Sequence, residues 1–526
     1  MNGVQILLII GAGIAVSALA HRRGVQPGLV VVTLAAAASF LPGMPRLELE
    51  SELILAIVVP PLLYSASRAA PVTAFGRNLR AILNLGVLLV VLTAGALGLL
   101  SSWLLPGIGL AAAFVLGSVL APPDTITTVS HGAEIGLPRR VTAILTGESL
   151  VNDATALTLF SIAVAAVGGE HASWGSGIRD FAYNAAVGVA VGGVLAVATL
   201  WVRKRLGNST LETSLVLLVP FTAFLMAEEL HASGILAVVT AAFAISANTS
   251  FDPRHQYPGA YRTRLQEDAF WPVVDFLLET FVFAYIGLQL RFVVEDLRAD
   301  DEVDLTRTFV AAGVLLVAAI VLRIVGVYVT FGRWQLSWLM YRKRVEAHPE
   351  IAEHLAAARE AAEERDRRRG RNRRRTLPLG PPTARETLVV GWTGMRGILT
   401  LAAAAAIPET TAGGEPFPGR DAIQVIALVV TLGTLLIQGT TIRRAVTLLG
   451  LDVRAEREEA EAMRRRGEEI VAAAASGTTD ADFDRQRTRL GESLATGDID
   501  EDTARALIAE VDLRQAAQHT VAEKMP

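Results

Sequence analysis

One stretch limits what this chain can fold into more than any other. The apolar run from Val141 to Gly168 is long enough to cross a bilayer, since a spanning helix needs about 20 mostly apolar residues. Yet its middle, TGESLVNDATALTLF from Thr146 to Phe160, carries Glu148, Ser149, Asn152, Asp153 and Thr155. A charge at the bilayer centre costs about 2.5–3.5 kcal/mol on the mildest insertion scale. Two carboxylates are tolerated there only if they face protein, water or an ion. At helical spacing Thr146, Ser149, Asn152 and Asp153 share one flank, and Leu150, Val151, Leu157 and Leu159 lie opposite. The polar flank is a set of oxygen ligands of the kind that hard cations prefer. Ser, Thr and Asn alone could also serve as glue between helices. The two acids favour the ion-site reading.

The rest of the chain agrees with a membrane setting. It has 526 residues, 52% of them hydrophobic and only 19% charged, and most of the first 445 lie in apolar runs. No cysteine is present, which excludes disulfides, thiolate metal sites and thiol catalysis. The first apolar run has no basic residue before it, and Arg22-Arg23 follow it, so it reads as a first spanning helix rather than a signal peptide.

About thirteen segments have spanning character, giving an all-α polytopic fold. They are 3–20, 27–41, 49–65, 79–105, 110–130, 141–168, 178–202, 211–228, 233–247, 270–290, 309–338, 387–406 and 423–443. An odd number places the two ends on opposite sides. Alternate loops hold Arg22-Arg23, then Arg68, Arg77 and Arg80, then Arg139-Arg140, Arg203-Lys204-Arg205, and Arg254, Arg262 and Arg264. The intervening loops 42–48, 169–177 and 408–419 hold a single Arg between them and no Lys. The positive-inside rule then puts the N-terminus outside and the C-terminus in the cytoplasm. The basic loop 342–385, with RDRRRGRNRRR, is expected to orient the chain or touch anionic lipid rather than nucleic acid. From 446 to 526 a polar tail follows, with AEREEAEAMRRRGEE and DIDEDTARALIAEVDLRQAAQ as charged helices.

Two segments look broken. Pro122-Pro123 removes backbone donors around Asp124 in the fifth, and GWTGMRG loosens the twelfth around Arg396. Irregular backbone at membrane depth is tolerated only where it is buried in protein or lines a cavity. Interruptions at matching places in two halves point to a transporter's binding site. Other intramembrane charges need partners: Arg396 is expected to pair with Glu148, and Arg323 with Glu279, as structural ion pairs. Glu228 and Glu229 end the eighth segment. His131 and His231 lie near segment ends, where solvated histidines are commonest. No HExxH, phosphate loop or nucleophile–base arrangement is visible, so no enzyme activity and no cofactor is expected, and the energy source would be a gradient.

The stretches VVPPLLYSAS, APPDTITTVS, GLPRRVTAILTGESLVNDATAL, ELHASGILAVV, ETFVFAYIGLQL and GWTGMRGILTLAAA, in this order, resemble the monovalent cation:proton antiporter family of the NhaP/NHE type. The resemblance covers about Leu7 to Arg444 and leaves the tail uncovered. It implies 6 + 6 inverted repeats with discontinuous fifth and twelfth helices, a mobile core domain interleaved with a dimerisation domain within 1–445, and a homodimer. It also implies that Asp153 binds cation and proton with Asn152 beside it, that Asp124 lies in the crossing segment as a second Na⁺ carboxylate, and that Ser149 is an oxygen ligand. Glu148 and Arg396 match an ion pair between core helices, and Glu228 and Glu279 match acidic positions, Glu228 as an accessory acid. Many relatives carry Thr-Asp-Pro where this chain has Pro123-Asp124-Thr125, and Thr125 is expected to substitute.

The expected activity is exchange of Na⁺, with Li⁺, for H⁺ across the plasma membrane, serving pH and sodium homeostasis. One buried carboxylate holds a proton or a cation, and a site that reorients only when neutralised couples the two gradients. Asn152 leaves one titrating charge at the pair, which predicts electroneutral one-for-one exchange. K⁺/H⁺ exchange is the alternative on the same scaffold. A cation channel and a membrane sensor are the alternatives of another class.

Overall fold

The computed structural model describes residues 3–23, 27–44, 54–125, 137–168, 174–251, 259–299, 304–348, 381–411, 413–451, 454–475 and 477–524, and single positions 46, 350 and 357. His131 and most of the basic loop 342–385 lie outside the described residues. Among those described, every regular element is helical, and strand geometry is confined to two isolated bridges. Eight helices are long and apolar enough to cross a membrane, and Pro27–Ser39, Pro106–Leu120 and Gly234–Asn248 are shorter apolar ones.

In chain order the first helices are α1 (Gly3–Arg22), α2 (Pro27–Ser39), α3 (Val59–Ala69), α4 (Val72–Leu83), α5 (Val90–Leu104), α6 (Gly109–Leu120) and α7 (Arg139–Val167). A π-helical stretch, Asn84–Leu89, fuses α4 to α5 into one apolar rod. Next come α8 (Trp174–Leu206), α9 (Ser209–Glu229), α10 (Gly234–Phe251), α11 (Ala260–Ala299) and α12 (Leu305–Ala347). The series ends with α13 (Ala384–Trp392), α14 (Ile398–Ala405), α15 (Arg420–Thr434) and α16 (Thr440–Leu449), then α17 (Arg454–Ala474), α18 (Asp480–Thr496) and α19 (Glu501–Lys524).

Local chemistry explains the boundaries. Pro60 and Pro61 lie where the π-helical turn Ile54–Val58 runs into α3, and neither can donate to the turn before it. Asn208 caps α9 by accepting from the backbone N–H groups of Thr210 and Leu211. Thr383 and Glu386 form a capping box at the start of α13. Helices α11 and α12 run 40 and 43 residues. At about 1.5 Å per residue each reaches about 60 Å, well beyond a hydrocarbon core of about 30 Å. Their ends therefore project past the membrane, which the apolar runs alone did not indicate.

The helices sort into two packed sets. In one, α2 lies along α11, α1 joins them, and α10 packs on α3, α8 and α9. In the other, α5 packs on α6, α7 on α4 and α6, and α12 on α13 and α15. Helix α11 meets α14 and α15 where the sets touch. Small residues permit the tightest contacts: a Cβ at Gly117 of α6 would overlap the backbone of Ala94 and Gly98 in α5.

The tail is more structured than its two charged stretches suggest. Helices α17–α19 enclose their own small core of Val471, Phe483, Leu490, Ile499, Leu507 and Val511. Asp480–Thr496, which carries no strong sequence signal, is the middle helix of this unit. The unit sits against one end of the helical bundle. Arg264 of α11 forks onto Asp512 at 2.7 and 2.8 Å, Arg139 of α7 reaches Asp500 at 2.8 Å, and Arg505 donates to the carbonyls of Ala69 and Ala70.

Candidate cation site

Two interruptions meet in the middle of the bundle. Helix α6 stops at Leu120 because Pro122 and Pro123 cannot donate to the preceding turn. Helices α13 and α14 are separated by Thr393–Gly397. The two unwound strands lie side by side in an isolated antiparallel bridge, with the Asp124 N–H donating to the Met395 carbonyl at 2.6 Å. Gly397 is required at this crossing, since a Cβ there would overlap the Asp124 carboxylate. The expectation of broken fifth and twelfth segments is thus met by geometry at 121–125 and 393–397.

Arg396 is buried at the crossing. Its Nε donates to the Leu120 carbonyl at 2.9 Å and its Nη1 to the Gly394 carbonyl at 2.6 Å. Its backbone N–H donates to Thr434 Oγ1 at 3.0 Å. The guanidinium therefore sits at the C-terminal end of α6, whose last carbonyls lack helical donors and carry the negative end of the helix dipole. The sequence reading paired Arg396 with Glu148, and the structure corrects this. Glu148 is bound instead by Arg323 of α12, Nη1 to Oε1 and Nη2 to Oε2, the latter at 2.8 Å. Arg323 also donates to the Val390 carbonyl at 3.3 Å. The expected Arg323–Glu279 pair is replaced for the same geometric reason. Arg323 is wedged between α7 and α13, whereas Glu279 is on α11, in the other helix set.

Helix α7 carries the opening sequence feature, with Glu148, Ser149, Asn152 and Asp153 all buried. Asn152 donates its Nδ2 to the Pro123 carbonyl at 2.8 Å, tying the helix to unwound backbone. Thr125 Oγ1 donates to the Leu145 carbonyl at 3.0 Å, so this hydroxyl anchors the loop to α7. Asp153 forms no hydrogen bond or ion pair with any described residue, and its charged neighbours are Asp124 and Glu148. Ser149 Oγ and Asn152 Oδ1 are likewise buried without a hydrogen-bond partner. A small cavity beside Asp153 is lined by Ser118, Pro122, Phe160 and Leu399. The sequence-predicted residues Asp153, Asn152, Ser149, Asp124 and Thr125 thus gather on α7 and the loop it clasps.

The remaining acids are spread out. Glu279 is half-buried on α11, with Asp124 and Asp275 as its charged neighbours. Glu228 is exposed at the end of α9. Asp275 was missed, although it lies one turn before Glu279; its Oδ2 accepts from Ser65 at 2.6 Å. Also missed was a buried cluster in which Arg203 reaches Glu267 at 2.7 Å and Glu212 at 3.5 Å, and Thr263 donates to Glu212 at 2.7 Å. Arg203 had been visible only as part of a basic loop.

A helical membrane bundle in which two interrupted segments cross beside a buried carboxylate belongs to the class of secondary ion transporters. Residues 4–448 match the family model described as sodium/hydrogen exchanger, transmembrane, and the chain belongs to that family. An uncharacterized Na⁺/H⁺ exchanger of Mycobacterium tuberculosis is 30% identical over 454 residues, covering 84% of this chain and 74% of that protein. A sodium, potassium, lithium and rubidium/H⁺ antiporter of Bacillus subtilis is 26% identical over 445 residues, covering 83% and 60%. The structure of the sodium proton antiporter MjNhaP1 from Methanocaldococcus jannaschii superposes with TM-score 0.60 at 14% identity, over 85% of this chain and 98% of that one.

Proposed function

We propose that the protein exchanges Na⁺, and Li⁺, for H⁺ by competition at Asp153. The observation that carries this reading is the contrast between the two acids of α7. Glu148 is engaged by Arg323, whereas Asp153 is buried with no counter-charge among the described residues and next to unsatisfied oxygens of Ser149 and Asn152. A bare carboxylate is costly in a dry site, so it is neutral with a proton or paired with a cation. Asp124, held against Gly397, is the second carboxylate near the cation.

Reorientation of the set α4–α7 and α12–α16 against the remaining spanning helices would then carry one neutralised site at a time across the membrane. This set is the mobile core, the other the dimerisation domain of a homodimer, and the two broken segments are equivalent members of 6 + 6 inverted repeats among thirteen spans. The protein resides in the plasma membrane with its N-terminus outside and its tail cytoplasmic, maintaining pH and sodium balance. The loop 342–385 touches anionic lipid at the cytoplasmic surface. Because Asn152 adds no second charge, exchange is electroneutral.

The test is proton movement in everted vesicles on separate addition of Na⁺, Li⁺ and K⁺. Na⁺ and Li⁺ release the proton gradient, and Asp153→Asn abolishes the response. Indifference to all three cations would sink the reading, and a transport current that reverses with voltage would contradict electroneutrality. K⁺/H⁺ exchange has one specific support, the potassium in the name of the Bacillus subtilis relative. A K⁺ response exceeding that to Na⁺ would establish it instead.

A further inference from the structure

A large groove lies away from the ion site. It lies on the outer face of the bundle, between the α4–α5 rod and α12, and has a volume of about 1000 Å³. This is the upper end of the range for small-molecule sites, about 300–1,000 Å³. Its floor is a close helix contact: a Cβ at Gly326 of α12 would overlap the side chain of Leu89. One end is apolar, with Leu88, Leu92, Val325 and Val329 each at least 52% exposed although they lie within spanning helices. The other end is cationic, with the exposed Arg77 and Arg80 on α4 and Arg333 on α12. None of these three guanidiniums has an ion pair or hydrogen bond among the described residues.

The two ends are arranged like a phospholipid in its leaflet. From Arg80 to Leu92 the rod rises about 18 Å at 1.5 Å per residue, against about 15 Å for half the hydrocarbon core. Trp334 and Trp338 also line the cationic end, at the level where amphipathic rings sit between headgroup and chain. Arg140 of α7 stacks over Trp334 at 5.1 Å from its centroid, adding positive charge behind it. Arginine forks fit phosphate oxygens, and basic pockets between spanning helices are suited to anionic headgroups. We propose that this groove is a binding site for one anionic phospholipid, its phosphate held by Arg77, Arg80 and Arg333 and its acyl chain lying along Leu88, Leu92, Val325 and Val329. The lipid clamps α12 to the α4–α5 rod. Leu322 lines the same groove, directly before the Arg323 that holds Glu148.

The test uses the full-length protein in phosphatidylcholine nanodiscs with and without phosphatidylglycerol, read by native mass spectrometry of retained lipid and by melting temperature. Wild type retains phosphatidylglycerol and melts higher in its presence. The triple variant Arg77→Gln, Arg80→Gln, Arg333→Gln retains it about a hundredfold more weakly, as expected for three basic residues near a membrane surface. Its melting temperature in phosphatidylcholine alone stays at the wild-type value. Val329→Trp, which fills the groove and keeps every arginine, loses retention as well. Neutralising the arginines of 365–375 leaves retention unchanged. The proposal is overturned if that loop variant loses the lipid while the triple variant keeps it. It is also overturned if hydrogen exchange finds the groove protected without lipid, and exposed once the acid-rich segment 349–364 is deleted.

Discussion

Asp153 and Glu148 sit five positions apart on one helix, and their partners give them different chemistry. Glu148 and Arg323 are 0% and 3% exposed and bonded through both carboxylate oxygens. Such a pair is poor evidence of net stabilisation, because desolvating two charges offsets most of their attraction. Removing one member is different, since the other is left buried and uncompensated. Glu148→Gln or Arg323→Met alone is therefore expected to cost about 3–5 kcal/mol. Melting of the purified single and double variants checks this: the double Glu148→Gln, Arg323→Met should recover much of the loss. If the double variant is as unstable as the sum of the singles, the two residues do not act as a pair.

At the scale of elements, the crossing is built from what helices lack. Pro122-Pro123 ends α6 and leaves carbonyls without donors, and Arg396 supplies one at 2.9 Å. Gly397 leaves room for Asp124 to lie against the opposing break. Gly397→Ala forces the Asp124 carboxylate to shift while leaving every helix core intact. Exchange in vesicles should fall to below about a tenth of wild type, since displacement by about 1 Å can cost a hundredfold in positioned chemistry, with expression and melting little changed. Equal losses of expression and transport would indicate that Gly397 matters for folding instead.

For the whole molecule, the tail and the bundle are joined by charge. Asp512 accepts from Arg264 of the bundle and from Arg487 of the tail, at 2.7 Å each. Within the tail, hydrogen bonds from Gln515 and His519 hold the Asp480 carboxyl below its ordinary value of 3.8. Hydrogen bonds from the Thr479 hydroxyl and backbone N–H do the same for Asp482. A depressed carboxyl contributes stability that is present above the unfolded value and lost as pH falls through the folded one. Lowering the pH from about 5 to below about 3.8 should therefore loosen the tail unit, read as lower hydrogen-exchange protection factors within 477–524. Unchanged protection across that interval would show that these acids do not hold the unit together.

Much of this molecule follows from the sequence itself. A bilayer admits only backbone that satisfies itself, so apolar run lengths specify helices and proline and glycine specify where they break. For the same reason TGESLVND reads as a buried polar strip from its residues alone. Pairing was beyond that reading. Arg323 and Arg396 are equivalent as charges in an apolar run, and both lie far along the chain from Glu148. Only the packing of α12 against α7 and α13 gives Glu148 to Arg323 and sends Arg396 to the end of α6. Tertiary structure likewise folded the polar tail into a docked three-helix unit and left three arginines open beside an apolar groove. Composition fixes which groups must be satisfied inside a membrane. Which group satisfies which depends on distances of a few ångströms between helices, and periodicity along one chain carries no record of those.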